Sequence, residues 1–284
     1  MQNQTIKIWD GTGFAADRAD EVQPTLTTYL LDNTSELDAG RKRASVLICP
    51  GGGYHFVSDR EAEPVAMRFL SAGFHVFILR YRVAPAKHPK PLLDVSRAMW
   101  LIRENAVKWH LDPERIAVCG FSAGGHLAAS LGVFWEKSYI REAMGMPEGI
   151  NRPSALILGY PVITSGEYAH KGSFVELLGK DASEEQWKEM SLELQVNAQT
   201  PPCFLWHTFR DQAVPVENSL YFAQALRQQG IPFELHIFPE GPHGLSLCDE
   251  ETAGRNTAMI NLHAARWVPL CIEWLKDLFR ERNR

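Results

Sequence analysis

Six short apolar runs rich in β-branched and aromatic residues recur at 44–49, 74–81, 116–120, 155–160, 203–207 and 233–238, with helix-length stretches between most of them. This rhythm limits the fold more than any other feature of the chain. Adjacent parallel strands need a crossover of a dozen or more residues, which a helix supplies. The chain is therefore predicted to be an α/β protein, with a central, mostly parallel, twisted sheet and helices on both faces. Apolar residues spaced by three and four predict helices at 60–71, 92–109, 122–134, 216–229 and 256–280. Two further runs, 5–9 and 25–31, are expected to pair as an antiparallel hairpin at one sheet edge, and Asp112-Pro113-Glu114-Arg115 reads as a turn.

Between 164 and 202 the rhythm breaks. That stretch is polar, holds two short helical patterns at 173–178 and 184–193, and offers no strand. Excursions of this length between sheet strands serve as functional loops or lids, or merely cover the surface. The expected organisation is one domain over 1–284 with a cap-like insertion at about 164–202, a length that α/β folds routinely fill as a unit.

Composition narrows the partners. Forty-five per cent of the residues are hydrophobic and 22% charged, enough for a large core and too apolar for a disordered chain. With 29 Lys and Arg against 34 Asp and Glu, the net charge of −5 gives no general attraction for a polyanion, so nucleic acid is not an expected partner. No apolar stretch approaches the roughly 18 residues of a membrane span. The chain opens without a basic segment followed by an apolar one, so the expected location is cytoplasmic and no membrane partner is expected. Five cysteines without paired spacing fit a reducing compartment, and no ligand spacing calls for a metal or other cofactor. A homo-oligomer is compatible with the sequence.

The chemistry gathers where strands end. Gly120-Phe121-Ser122-Ala123-Gly124 joins the run at 116–120 to the helical pattern at 122–134, which puts a G-x-S-x-G on a sharp strand-to-helix turn. Ser122 is the candidate nucleophile, and the first turn of the following helix aims free N–H groups at any anion formed there. A serine hydroxyl needs a base to take its proton and a carboxylate to orient that base. Among ten histidines, His243 stands apart in Pro239-Glu240-Gly241-Pro242-His243-Gly244, a loop leaving the last strand at the sheet's carboxyl edge. His236 lies inside a strand pattern, His126 and His263 inside helical ones, and His75, His88 and His110 precede the serine. Asp211, directly after the run at 203–207, is the candidate acid; Glu240 is the runner-up, and Asp181 and Asp249 lie in polar segments. Gly51-Gly52-Gly53 follows the run at 44–49, and the N–H groups of Gly52, Gly53 and Ala123 are the candidate oxyanion hole. A phosphate-cradling loop would carry G-x-x-x-x-G-K-[ST], which is missing.

Four blocks together give a resemblance: Pro50-Gly51-Gly52-Gly53-Tyr54, Tyr81-Arg82-Val83-Ala84-Pro85, Gly120-Phe121-Ser122-Ala123-Gly124-Gly125-His126-Leu127, and the Asp211/His243 pair. Over roughly 44–247 the chain resembles the α/β-hydrolase fold and the esterases related to hormone-sensitive lipase. Those enzymes usually read H-G-G-G and G-D-S-A-G-G; Pro50 and Phe121 at the variable places are similar to the bacterial branch of acetyl, acetylxylan and feruloyl-esterase-like carbohydrate esterases. The resemblance implies hydrolysis of small acyl groups, acetyl above all, from hydroxyls of plant-derived oligosaccharides, with Ser122, Asp211 and His243 as the triad and no cofactor. Tyr54, His55 and Phe121 flank the site as candidate substrate contacts, with packing as the equal alternative for each. A general short-chain carboxylesterase or a feruloyl esterase is the alternative. An arylformamidase-like amidase, a prolyl-oligopeptidase-like peptidase and a catalytically dead receptor of the gibberellin type rank below it.

Overall fold

The computed structural model describes residues 1–12 and 23–281. Eight strands run through them: β1 (Gln2–Lys7), β2 (Thr25–Leu30), β3 (Arg43–Cys49), β4 (His75–Arg80), β5 (Leu111–Phe121), β6 (Ala155–Gly159), β7 (Cys203–Thr208) and β8 (Phe233–Phe238). They form one sheet in the order β1-β2-β4-β3-β5-β6-β7-β8. The expected hairpin lies at the edge: β2 pairs antiparallel with both β1 and β4, and every pairing from β4 through β8 is parallel.

Nine helices accompany the strands: α1 (Glu63–Ser71), α2 (Lys90–Glu104), α3 (Ser122–Phe134), α4 (Ser138–Met144), α5 (Lys171–Leu178), α6 (Glu184–Glu189), α7 (Glu217–Gln228), α8 (Glu250–Ala253) and α9 (Trp267–Glu281), counted among the described residues. Side chains alternate across a strand, so β3 sends Leu47 and Cys49 to one core layer and Val46 and Ile48 to the other. The first layer is closed by Leu92 and Met99 of α2, Leu127 and Leu131 of α3, and Phe222 and Leu226 of α7. Val65 and Phe69 of α1 and Trp267, Cys271 and Leu275 of α9 close the second. The doubly covered sheet is the expected α/β-hydrolase architecture. All five cysteines are free and buried, and no helix among the described residues is long and apolar enough to cross a membrane.

Three local expectations are revised. The pattern at 256–280 is not one helix: turns at Thr257–Met259 and Ala264–Arg266 precede α9, because Asn256 accepts from Ala258 N–H and Asn261 from Ala264 N–H. Such side chains offer the backbone a local alternative to the helix. The Asp112–Arg115 turn lies within β5, where the register jumps from Arg43↔Leu111 to Ser45↔Ile116 and the intervening residues loop out. Asp112 Oδ1 accepts Glu114 N–H across that loop at 2.9 Å. The helix expected over 92–109 ends at Glu104.

The excursion between β6 and β7 carries α5, α6 and a turn at Leu192–Leu194. Phe174, Leu177, Met190 and Leu192 join the first core layer, and Leu192 N–H reaches Ile163 O at 3.1 Å, so the segment is packed onto the end of the sheet. Tyr81–Pro85 has a structural role nearby. Arg82 and Asp94 form a buried ion pair at 2.7 Å, and Asp94 also accepts from Trp9 Nε1 at 2.7 Å, which ties this block to α2 and the N-terminal strands.

Candidate active site

Parallel strands end on the same edge, so the loops after β3, β5, β7 and β8 converge there. Those four loops carry the Gly51–Gly53 triplet, Ser122, Asp211 and His243. At the elbow Ser122 adopts φ +51°, a left-handed conformation that is rare outside glycine and stores strain. The flanking glycines are sterically required. A Cβ on Gly120 would lie 2.1 Å from Gly124 O, and one on Gly124 only 2.0 Å from Cys49 O.

The structure brings the three expected side chains together across 121 residues of sequence. His243 Nε2 lies 2.8 Å from Ser122 Oγ, and His243 Nδ1 lies 2.6 Å from Asp211 Oδ2. A carboxylate at Nδ1 holds the proton on that nitrogen, which leaves the Nε2 lone pair to accept the serine O–H. Asp211 is itself anchored: Oδ1 accepts the N–H groups of Ala213 and Val214 at 3.0 and 2.9 Å. Its other oxygen also faces His207 Nε2 at 3.3 Å. Burial alone would raise the Asp211 pKa, but the hydrogen bonds and charges of His207 and His243 outweigh it and hold the carboxyl well below the usual carboxylate range. Glu240 has no such place, because its exposed carboxylate pairs with Arg210 at 2.9 Å. Asp249 caps α8 and pairs with Arg68, and Asp181 is exposed.

Gly52 (φ +131°) and Gly53 (φ +65°) occupy left-handed conformations, and a Cβ on Gly52 would lie 2.1 Å from Phe56 O. Neither amide donates a hydrogen bond among the described residues. Ala123 N–H belongs to the first turn of α3, where amides have no intrahelical acceptor. Three candidate donors therefore remain available beside the nucleophile. A groove of about 510 Å³ opens next to His243, walled by Arg210, Gln212, Ala213, Glu240, Gly241 and Pro242. No group of three or more His, Cys, Asp or Glu among the described residues is arranged to hold a metal ion.

The candidate substrate contacts separate. His55 is exposed. Phe121 is fully buried in the second core layer, its ring 5.7 Å from Tyr160 and 5.8 Å from Trp267, which is the packing alternative for this residue. Tyr54 is 2% exposed and its hydroxyl pairs with His126 Nδ1 at 2.9 Å, so its side chain is likewise occupied with the protein. His126 Nε2 faces Met190 O at 2.9 Å; that nitrogen carries the proton and Tyr54 O–H donates to Nδ1. Three further residues at the site escaped sequence reading: Glu61, Tyr160 and His207. Each sits in an ordinary apolar or polar stretch with no motif of its own.

Fold and site define the class, an α/β hydrolase with a Ser–His–Asp arrangement at the carboxyl edge of its sheet. A family profile named BD-FAE matches residues 36–226, and the chain belongs to that family. It is 39% identical over 249 residues to endo-1,4-beta-xylanase B of Butyrivibrio fibrisolvens, covering 86% of this chain and 38% of that protein. To the acetylxylan esterase of Xylanibacter ruminicola it is 31% identical over 254 residues, covering 86% of this chain and 47% of that protein. The chain thus spans less than half the length of these two relatives. Among solved structures, the acetyl ester-xyloside bifunctional hydrolase of Caldicellulosiruptor lactoaceticus superimposes with a TM-score of 0.82 at 38% identity, over 97% of this chain and 96% of that one. The carboxylesterase Cest-2923 of Lactobacillus plantarum gives 0.83 at 29% identity, over 98% of each chain. The names of the Xylanibacter, Caldicellulosiruptor and Lactobacillus proteins agree with the expected enzyme class, carboxylic ester hydrolase, whereas the Butyrivibrio protein is named for xylanase activity.

Proposed function

We propose that this protein is a serine esterase that removes short acyl groups, chiefly acetyl, from hydroxyls of carbohydrates such as xylo-oligosaccharides. One observation carries the reading: the continuous chain from Ser122 Oγ through His243 to Asp211, at 2.8 and 2.6 Å, beside the free amides of Gly52 and Gly53. Ser122 Oγ attacks the ester carbonyl carbon while its proton passes to His243 Nε2. The carbonyl oxygen becomes an anion received by the amides of Gly52, Gly53 and Ala123, an interaction stronger in the transition state than in the ground state. Collapse of this intermediate breaks the bond to the sugar oxygen, which leaves with the proton from His243, and the acyl group stays on Ser122.

Water then repeats the sequence. His243 Nε2 takes a proton from it, the oxygen attacks the acyl carbon, and Ser122 Oγ departs with that proton as the free acid is released. Asp211 stays ionised throughout and stabilises the imidazolium formed twice per turnover. The sugar side of the ester fits the groove beside His243, where Arg210 and Gln212 offer hydrogen-bonding groups to hydroxyls. The names of the Xylanibacter and Caldicellulosiruptor relatives support acetyl and xyloside chemistry.

The test is a series of p-nitrophenyl esters from acetate to octanoate, run beside acetylated xylo-oligosaccharides and methyl ferulate, on wild type and Ser122→Ala. The expected outcome is acetate preference, acetate release from the oligosaccharide, and no turnover by the variant. Preference for octanoate would reassign the protein to general carboxylesterases, turnover of ferulate alone to feruloyl esterases, and a fully active Ser122→Ala variant would remove the serine mechanism.

A further inference from the structure

We infer that Glu61 is a positioning residue of this site: its buried carboxylate holds the glycine loop and the His243 loop together around Ser122. The inference rests on the serine-esterase reading. Glu61 is 4% exposed and ends a short turn, Asp59–Glu61, in the segment after the glycine triplet. Its two oxygens serve two different loops. Oε2 accepts Gly51 N–H at 2.7 Å, and Oε1 accepts Tyr160 O–H at 2.6 Å. The Tyr160 hydroxyl in turn accepts Ser246 N–H at 2.9 Å, three residues beyond His243. Ser246 Oγ donates to Arg60 O at 2.6 Å, which closes the circuit beside Glu61. The Tyr160 ring stands edge-on to the His243 imidazole, with centroids 5.1 Å apart and an interplanar angle of 73°.

Stability alone gives a poor reason for this arrangement, since burying a carboxylate is expensive and apolar replacements of buried charges are often neutral or better. The segments it joins supply a better one. Ser122 (φ +51°), Tyr160 (φ +37°) and Ser246 (φ +55°) are all non-glycine residues in the left-handed region, and such conformations persist only where the surroundings over-determine them. Gly51 itself is wedged in place: a Cβ there would meet Glu61 Oε2 at 2.8 Å and Ser122 Cβ at 2.9 Å. The carboxylate and the nucleophile thus flank one glycine, whose amide direction sets where the next two N–H groups point. Burial pushes the Glu61 pKa up, opposed by the hydrogen bonds of Tyr160 and Gly51 and by the charge of His243. Donors at both oxygens suit the ionised form.

Glu61→Gln, Tyr160→Phe and the double variant test the assignment. The glutamine oxygen can keep Gly51 N–H, but its NH₂ group then faces Tyr160, whose hydroxyl loses its acceptor. Turnover of p-nitrophenyl acetate is measured per active site, the sites being counted by covalent labelling with a fluorophosphonate, and thermal unfolding is followed by circular dichroism. Misplacement on the ångström scale predicts a kcat per labelled site reduced about 10- to 100-fold in Glu61→Gln, with KM changed less than about threefold. The double variant is expected to be no worse than the weaker single, because both break the same circuit. Unchanged turnover per labelled site, with only the number of sites or the unfolding temperature reduced, would overturn the role and leave Glu61 a packing residue. Multiplying, independent effects would also overturn it. If Glu61→Gln does not fold, Tyr160→Phe is decided by the same readout. Failure of the parent reading looks different: wild type would then neither label nor turn over through Ser122, and the Glu61 assignment would fall with it.

Discussion

Asp211→Asn changes one atom and reverses one proton. The carboxylate accepts three hydrogen bonds, from Ala213 and Val214 N–H at Oδ1 and from His243 Nδ1 at 2.6 Å at Oδ2, and His207 Nε2, bonded to Val214 O at 2.9 Å, stands 3.3 Å from Oδ2. An asparagine has a single oxygen, and the two backbone N–H groups claim it. Its NH₂ group must then face His243, which can meet a donor at Nδ1 only by carrying its own proton on Nε2. That proton points at Ser122 Oγ, and the base is lost although every heavy atom remains in place. A wrong tautomer of this kind lowers kcat by about 10⁴, or about 5.5 kcal/mol of transition-state stabilisation. The assay is the steady-state release of p-nitrophenol from the acetate ester, with near-ultraviolet circular dichroism to verify folding. Glu240→Gln is the matched control; its carboxylate is exposed and paired with Arg210, so kcat should stay within about threefold of wild type. The reasoning is refuted if Asp211→Asn keeps more than about a tenth of the wild-type kcat, or if Glu240→Gln falls as far.

Two further outcomes concern stability. Asp94→Ala removes the carboxylate that faces the buried Arg82 guanidinium and accepts from Trp9, and should lower unfolding free energy by about 3–5 kcal/mol, read as a shifted urea midpoint with an unchanged slope; a loss below about 1 kcal/mol would show that the ion pair does not anchor the block. Burial lowers the His126 pKa to about 4, whereas an unfolded histidine titrates near about 6.5. Between those values the unfolded chain takes the proton and the native chain does not, so stability is held above the upper value and lost as pH falls towards the lower. The advantage of wild type over His126→Asn should therefore shrink by about 1.4 kcal/mol per pH unit across that window in urea titrations, and a constant difference would refute the assignment.

Much of the site was legible because its chemistry follows from where strands end. A G-x-S-x-G between a buried run and a helix has few alternatives to an elbow, and parallel strands deliver Ser122, Asp211 and His243 to one edge whatever the helices between them look like. Asp211 is preferred to Glu240 for the same reason, since Asp211 stands directly after a strand, and the structure places it 2.6 Å from His243 Nδ1. Phe121 shows why adjacency in sequence is not adjacency in space. It precedes Ser122 by one residue, yet the strand alternation sends its ring into the opposite layer against Trp267.

The sequence by itself therefore determined what depends on local periodicity and chain order: the parallel sheet, the elbow, the order of serine, acid and histidine, and the glycine loop. The tertiary structure alone decided which ordinary residues serve them. Glu61 meets Tyr160 across 99 positions, and Tyr160 meets Ser246 across 86. His207 faces Asp211 beside His243, although it stands only four positions before that acid. None of these contacts leaves a periodic or motif signal, because hydrogen bonds between distant segments are set by how core layers pack and by which polar groups that packing must satisfy. The left-handed conformations of Ser122, Tyr160 and Ser246 are of the same kind: no propensity favours them, and only the assembled site holds them.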